Sequence, residues 1–279
     1  MTIEEELRII VKETARRIKN AEAVAIFAGA GMGVDSGLES YRGKNGLWKK
    51  SITLNNQKIN YYDLMKPSAF KKQPELAWGM IGMLMQKYQN ASPHPGFEIL
   101  RELTSQKEYF IVTSNIDGQF QKAGFDSARI FEFHGSLFNT QCGEEIECGI
   151  WETPSIKMNK DGITARSPVP VCPVCNAFCR PNVHLFDDNF FAPALSADQQ
   201  FRYMEWRQDI FYNSPNIVAL EIGAGKTIPT IRRYAERFAE NKIPLIRINP
   251  FDYKITNSQY LSIPLGANEA LRRIAREII

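Results

Sequence analysis

The chain has no long apolar run, no block of like charge and only three histidines, and each shortage closes off a class of function. Nowhere do apolar residues continue for the ~20 positions that a membrane-spanning helix needs. The opening MTIEEELRIIVKETARRIKN is charged and helix-periodic, unlike a signal peptide, so the expected location is the cytoplasm. With 34 Lys and Arg against 31 Asp and Glu, the net charge is only +3, and no run of five or six like charges suggests nucleic acid or a membrane surface as partner. Internal repeats and low-complexity tracts are also missing, which argues against a solenoid or a disordered tail.

Two nucleotide-binding fingerprints are incomplete. Counting G-x-G-x-x-G from Gly29 requires glycine at position 34, where Val34 stands, and no acid lies at positions 53–55 to take a ribose. Gly225-Lys226-Thr227 ends like a P-loop, yet the motif's first glycine would fall on Leu220, which leaves Lys226 as a solvent-facing residue at a helix start. Even so, an apolar strand running into Gly29-Ala30-Gly31 has the mechanics of a diphosphate cradle, because backbone without side chains can approach phosphates closely.

What is present is an alternation of strands and helices in 279 residues, 44% of them hydrophobic, enough for one large domain or a core domain with a small satellite. Apolar spacing predicts a helix over 3–18, a strand over 24–27, further buried strands over 109–112, 217–222 and 245–248, and helices over 228–240 and 267–278. Such alternation implies an α/β fold, a doubly wound, Rossmann-like parallel sheet whose ligands sit beyond the carboxyl ends of the strands. Gly29–Gly33, Ser114–Asp117 and Gly223–Gly225 would share that rim. Two stretches break the rhythm: 44–92, with a helix over 74–89, and 138–181, rich in Cys, Pro and Gly. They are expected to form a smaller zinc-binding module inserted into a large part made of about 1–43, 93–137 and 182–279.

All five cysteines lie between Cys142 and Cys179, as Cys142-x5-Cys148, then after a gap of 23 residues Cys172-x2-Cys175, then Cys179. Two cysteine pairs suit a tetrahedral structural zinc, and four thiolates leave no open position for catalysis. Cys148 or Cys179 could complete the set; the spacing favours Cys148 and leaves Cys179 as a small buried thiol. Asn115 and Asp117 follow an apolar strand, where an α/β sheet presents its chemistry, but Asp117 could equally cap a helix over 119–123. His134 closes the alternating FEFHGSL and could be structural or chemical. His94, between two prolines, reads as a turn or helix entry, and His184 as a solvent-facing strand residue.

Taken in order, GAGMGVDSGLESYRG, TSNIDGQF, HGS, CPVC with CRPNVHLFDD, and IRIN resemble the motifs of the sirtuin (Sir2) family, over about 28–249. The resemblance implies an NAD-dependent lysine deacylase that releases nicotinamide and O-acyl-ADP-ribose and takes an acyl-lysine protein or peptide as partner. It implies that Gly29, Ala30, Gly31, Tyr41, Arg42, Ser114, Asn115, Asp117, Gly223 and Asn249 bind the cofactor, with Asn115 and Asp117 flanking the nicotinamide ribose and carboxamide and Asn249 reaching the adenosine ribose. His134 would be the general base, work that suits an ordinary histidine pKa of about 6.5, with Asn115 counted beside it in catalysis. Val183 and Phe186 would touch the substrate, and Cys142, Cys148, Cys172 and Cys175 would hold the zinc. The chain departs from the family pattern at Glu39-Ser40-Tyr41-Arg42 for Pro-Asp-Phe-Arg, at Ser114 for Gln, at Phe186-Asp187-Asp188 for Phe-Gly-Glu, and at Gly223-Ala224-Gly225 for Gly-Thr-Ser. NIDGQFQKAGF and LEIGAGKTIP are similar to the macrodomain-linked microbial sirtuins, which transfer ADP-ribose to protein and carry glutamine where this chain has His134. An ADP-ribosyltransferase, an NAD hydrolase and a non-catalytic NAD-binding module are therefore the alternatives.

Overall fold

In the computed structural model, residues 2–41, 46–54, 56–255, 257 and 259–278 are described. Arg42, expected at the cofactor, lies outside them. The strands in chain order are β1 (Ala23–Ala28), β2 (Ser51–Leu54), β3 (Gln57–Asn60), β4 (Glu108–Thr113), β5 (Ile130–Glu132) and β6 (Gly135–Cys142). They continue with β7 (Ile150–Glu152), β8 (Cys179–Val183), β9 (Ile217–Ile222), β10 (Leu245–Ile248) and β11 (Leu261–Ile263).

Six of these form one parallel sheet in the order β11-β10-β9-β1-β4-β5. Every residue of β1, AVAIFA, is buried, as a central parallel strand covered on both faces must be. The two-residue period of the strands divides the core. Val24, Ile26, Ala28, Ile111, Leu220 and Ile246 face one side, against helices Ile3–Asn20, Pro95–Thr104 and Ala267–Arg276. Ala25, Phe27, Phe110, Val112, Ala219 and Leu245 face the other, against helices Ala194–Asn213 and Thr230–Ala239. This is the doubly wound arrangement expected from the alternation.

The first helix begins at a capping box: the Thr2 hydroxyl accepts the Glu5 amide at 3.2 Å, and the Thr2 amide donates to the Glu5 carboxylate at 2.6 Å. Its apolar stripe, Leu7, Val11, Ala15 and Ile18, is buried. Likewise, helix Pro74–Asn90 appears where the spacing predicts one, with proline at its first position.

A third core gathers side chains of 44–92 and 138–181 together with Leu38, Ile116, Leu137, Val183 and Leu185 from outside those bounds. It joins the antiparallel sheet β7-β6-β8, the hairpin β2-β3 and helices Pro67–Lys72 and Pro74–Asn90. The two insertions meet at Gly79, where a Cβ would sit 2.1 Å from the Ile163 carbonyl, and the Ala165 amide donates to Glu75 O at 2.7 Å. Among the described residues no helix is long and apolar enough to cross a membrane.

Candidate functional site

Register alone brings the expected residues into one row. Ala28 pairs with Thr113 and with Ile222, Thr113 with Glu132, and Ile222 with Ile248. The next residues of five strands, Gly29, Ser114, Phe133, Gly223 and Asn249, therefore leave the sheet at one level on its carboxyl rim. Backbone bonds carry the row outward: Phe133 N–H donates to Thr113 O at 2.7 Å, and Leu137 N–H to Ile116 O at 3.3 Å, with His134 between them.

The glycines of the first turn have a reason beyond a cradle. Gly29 N–H donates to Ile222 O at 2.9 Å and Gly31 N–H to Gly223 O at 3.0 Å. A Cβ on Gly31 would lie 2.6 Å from Gly223 Cα, and one on Gly29 2.7 Å from Ala224 Cα. Gly223 itself has φ +65. Bare backbone is thus required for the turn after β1 to lie directly on the turn after β9. Ala30 opens a single 3-10 turn, Ala30–Met32, rather than a long helix.

After β4 the chain buries an unusual density of polar atoms. Asn115 is 4% exposed; its amide nitrogen donates to Gly29 O at 3.1 Å, while its Oδ1 has no hydrogen-bond partner. Asp117 accepts the Gln119 amide at 3.0 Å, but the N-cap of the short helix Gln119–Lys122 is Gly118 in left-handed backbone, so Asp117 stands one residue before the cap; burial pushes its carboxyl up to about 6. Gln119, 1% exposed, donates to Tyr88 O at 3.1 Å and leaves its Oε1 without a partner. Glu132, at the end of β5, meets Gln199 through its backbone amide at 2.9 Å and is pushed by burial up to about 7. Sequence reading passed over Gln119 and Glu132. A charged residue within the alternating FEFHGSL was the available signal for Glu132.

His134 sits in the turn between β5 and β6 rather than in a strand, its ring edge-on to Phe133 at 5.1 Å and to His184 at 5.8 Å. Its carbonyl accepts the His184 amide at 3.0 Å, which ties it to the segment after β8. There β8 stops at Val183, so His184 lies just past the strand, exposed and stacked on Phe191 at 3.8 Å. His94 is the N-cap of helix Pro95–Thr104, accepting from Gly96 N–H at 3.0 Å, with its other ring nitrogen 2.9 Å from Met32 O.

Val183 is 1% exposed, within the third core. Phe186 stacks on Tyr62 at 4.1 Å and meets Trp48 edge-on at 5.4 Å, while Trp48 stacks on Tyr41 at 5.2 Å. Arg180, fully buried, grips Asp188 through two 2.6 Å bonds and donates to Val183 O at 2.7 Å. Asp188 in turn accepts the Leu185 and Phe190 amides, so one ion pair shapes the whole segment beside His184. Asp187 occupies left-handed backbone at φ +55, the conformation that the family's glycine supplies and aspartate tolerates.

At the other end of the row, Asn249 donates to Ala224 O at 3.0 Å and accepts the Phe251 and Asp252 amides, bridging two loops. Below it, Glu221 on β9 faces Arg247 on β10, with bonds of 2.6 and 2.8 Å. Neither residue was singled out from the sequence; a Glu and an Arg inside otherwise apolar strands were the signal.

The sulfurs of Cys142, Cys148, Cys172 and Cys175 lie within 4.8 Å of one another, Cys142 and Cys175 at 3.6 Å. A tetrahedral zinc with ~2.3 Å bonds to sulfur sets the sulfurs ~3.8 Å apart, so the four fit one structural zinc. Cys179, buried and paired in register with Cys142, stands outside the set, and the fourth ligand position falls to Cys148. For the cofactor, the test is the pair of buried, unpartnered acceptors Asn115 Oδ1 and Gln119 Oε1. Buried acceptors of this kind are costly unless a donor reaches them. A carboxamide or a ribose hydroxyl offers such donors, so the residues present fit NAD.

A doubly wound sheet with a polar rim and a four-thiol metal module defines the class of protein. Residues 29–206 match the model of the Sir2 family, and the chain belongs to that family. It is 31% identical to an NAD-dependent protein deacylase of Aeropyrum pernix, over 95% of this chain and 96% of the relative. It is 28% identical to one of Leptospira interrogans, over 92% and 94%. A solved Sir2 homologue in complex with NAD superposes with a TM-score of 0.70 at 24% identity, over 95% of this chain and 93% of that one.

Proposed function

We propose that this protein is an NAD-dependent protein lysine deacylase working on acyl-lysine side chains in proteins or peptides. The observation that carries the reading is the unpartnered, buried Oδ1 of Asn115, held on the carboxyl rim just past β4, the strand that pairs with the β5 leading to His134. NAD, when bound, would supply an electrophilic ribosyl carbon carrying a neutral nicotinamide leaving group, and the substrate's acyl oxygen would be the nucleophile toward it. Asn115 Oδ1 accepts a hydrogen bond from the cofactor's carboxamide or ribose, and its amide group, anchored on Gly29 O, fixes the direction of that bond. Asp117, half-ionised near pH 6, is largely a carboxylate at pH 7.5 and accepts the neighbouring donor. His134 takes the proton of a ribose hydroxyl through its ring.

In this reading Gly29, Ala30, Gly31, Tyr41, Arg42, Ser114, Gly223 and Asn249 surround the rest of the cofactor. Val183 and Phe186 line the acyl-lysine side, and Cys142, Cys148, Cys172 and Cys175 hold the zinc. The large part (1–43, 93–137, 182–279) binds NAD, and the zinc module (44–92, 138–181) closes the acyl side, with β6 and β8 running across their approximate boundaries. Free thiols kept in metal geometry suit the reducing cytoplasm.

The deciding experiment incubates the protein with NAD and a panel of acyl-lysine peptides and follows nicotinamide and peptide mass together. Nicotinamide released in step with acyl loss supports the proposal. Nicotinamide with intact acyl groups and ADP-ribose on protein replaces it with the transferase reading, for which the retained His134 offers no support. No nicotinamide from any acyl peptide overturns it.

A further inference from the structure

The stretch Glu39–Tyr41, well downstream of β1, and the turn after β4 are joined through one residue that belongs to neither. Tyr88, near the end of helix Pro74–Asn90, is 4% exposed. Its phenol oxygen lies 2.8 Å from that of Tyr41, and its backbone carbonyl accepts the Gln119 side-chain amide at 3.1 Å. That carbonyl falls in the helix's last turn, where carbonyls lack an intrahelical partner, so Gln119 satisfies it and is itself fixed in place. A second link lies one residue away: Lys87 holds Glu39 at 2.7 Å. The stretch Glu39–Tyr41 is therefore strapped to the same helix turn that orients Gln119, whose own backbone amide bonds Asp117.

We propose that Tyr88 is a positioning residue of the cofactor site, its hydroxyl holding the Tyr41 ring at a fixed distance from the Asn115–Gln119 turn. The inference rests on the NAD-binding reading above and adds to it a residue of the inserted helix. Where the family pattern has phenylalanine, ring position depends on packing alone; here the hydroxyl of Tyr41 adds a directional bond. Only one of the two phenol protons is used in that bond. Removing either hydroxyl leaves the remaining buried oxygen without its partner and the Tyr41 ring held by its stacking on Trp48 without a directional bond.

The test is a double-mutant cycle with Tyr41→Phe and Tyr88→Phe, read by NAD titration calorimetry, by KM for NAD against kcat, and by thermal unfolding. Each single variant should weaken NAD binding and raise its KM about three- to tenfold, the range of one buried hydrogen bond, with kcat changed less. The double variant should be no worse than the worse single one, because both remove the same bond. Wild-type NAD affinity in Tyr88→Phe, or losses that multiply in the double variant, overturns the inference alone. A shift confined to thermal unfolding also overturns it, since a purely structural bond would do that. A wild-type protein that does not bind NAD overturns the NAD reading and this inference with it.

Discussion

Two sets of buried polar groups in this molecule are treated in opposite ways. Arg180 with Asp188, and Glu221 with Arg247, are charges buried in pairs, each carboxylate held by two or more short bonds. Asn115 and Gln119 are buried with amide oxygens that lack partners, beside the Asp117 and Glu132 carboxyls, which accept bonds from neutral amide groups only and are driven upward by burial. The paired groups fix loop shape, Arg180 for the segment after β8 and Arg247 for the ends of β9 and β10. The underpaired ones are destabilising on their own and make sense as half of an interaction whose other half is a ligand. Neither buried polarity nor a single unpartnered atom marks the site, since Thr14, Trp206 and Arg232 also bury one; what sets the rim apart is that two unpartnered acceptors, Asn115 Oδ1 and Gln119 Oε1, fall on one stretch after β4.

The sharpest way to break this comparison is His134→Ala. Losing the proposed base should lower deacylation about 10²- to 10⁴-fold, while NAD affinity measured by calorimetry stays within a factor of a few. Near-normal peptide turnover would remove His134 from the mechanism and with it the meaning of the adjacent acceptors.

Among the paired charges, Arg180→Met leaves Asp188 buried and unmatched, and should cost about 3–5 kcal/mol in urea unfolding. A loss below about 1 kcal/mol would show that the pair is not what holds Leu185–Phe190.

Glu132 tests the underpaired set by pH. Burial raises its carboxyl from an ordinary 4.5 to about 7, so the folded state favours the protonated form. The resulting penalty is absent below the unfolded pKa, grows as pH rises from about 4.5 to 7, and is constant above. Glu132→Gln, which cannot ionise, should therefore stabilise the protein at pH 8 by about 3 kcal/mol at most and have little effect at pH 4.5. Equal effects at both pH values, measured by urea unfolding, would contradict the burial argument.

Gly31→Ala gives the smallest expected effect, about 1–3 kcal/mol, because its methyl would meet Gly223 backbone at 2.6 Å and force the two turns apart. A weaker NAD affinity should accompany the drop in melting temperature. An unchanged melting temperature would mean that the contact between the turns is not close enough to matter.

The parallel strands were legible because a buried strand needs an unbroken apolar run: 217–222 and 245–248 are read and found at the same residues. The cysteine pairs were legible because ligand chemistry restricts residue type as well as spacing. His134 was legible as a residue but not as a turn, since FEFHGSL alternates across a point where the chain leaves one sheet and enters another. Tyr88 and Gln119 were not legible: an apolar helix with one tyrosine, and one amide after an aspartate, have no pattern that marks them. Arg180 and Glu221 were hidden for a related reason, as their partners lie on other elements or beyond a turn.

By itself, then, the amino-acid sequence determined the doubly wound sheet, the helices near 3–18, 74–89, 228–240 and 267–278 and the thiol chemistry of the metal module, set by local period or by chemistry that only one residue type performs, whereas helix Ala194–Asn213 was not read from it. Tertiary structure alone decided that Gly29 and Gly31 lie against Gly223, that Cys148 rather than Cys179 completes the metal set, and that Asn115 keeps an acceptor free. Those outcomes depend on which backbones approach which, and contacts between residues far apart in sequence leave no trace in local periodicity.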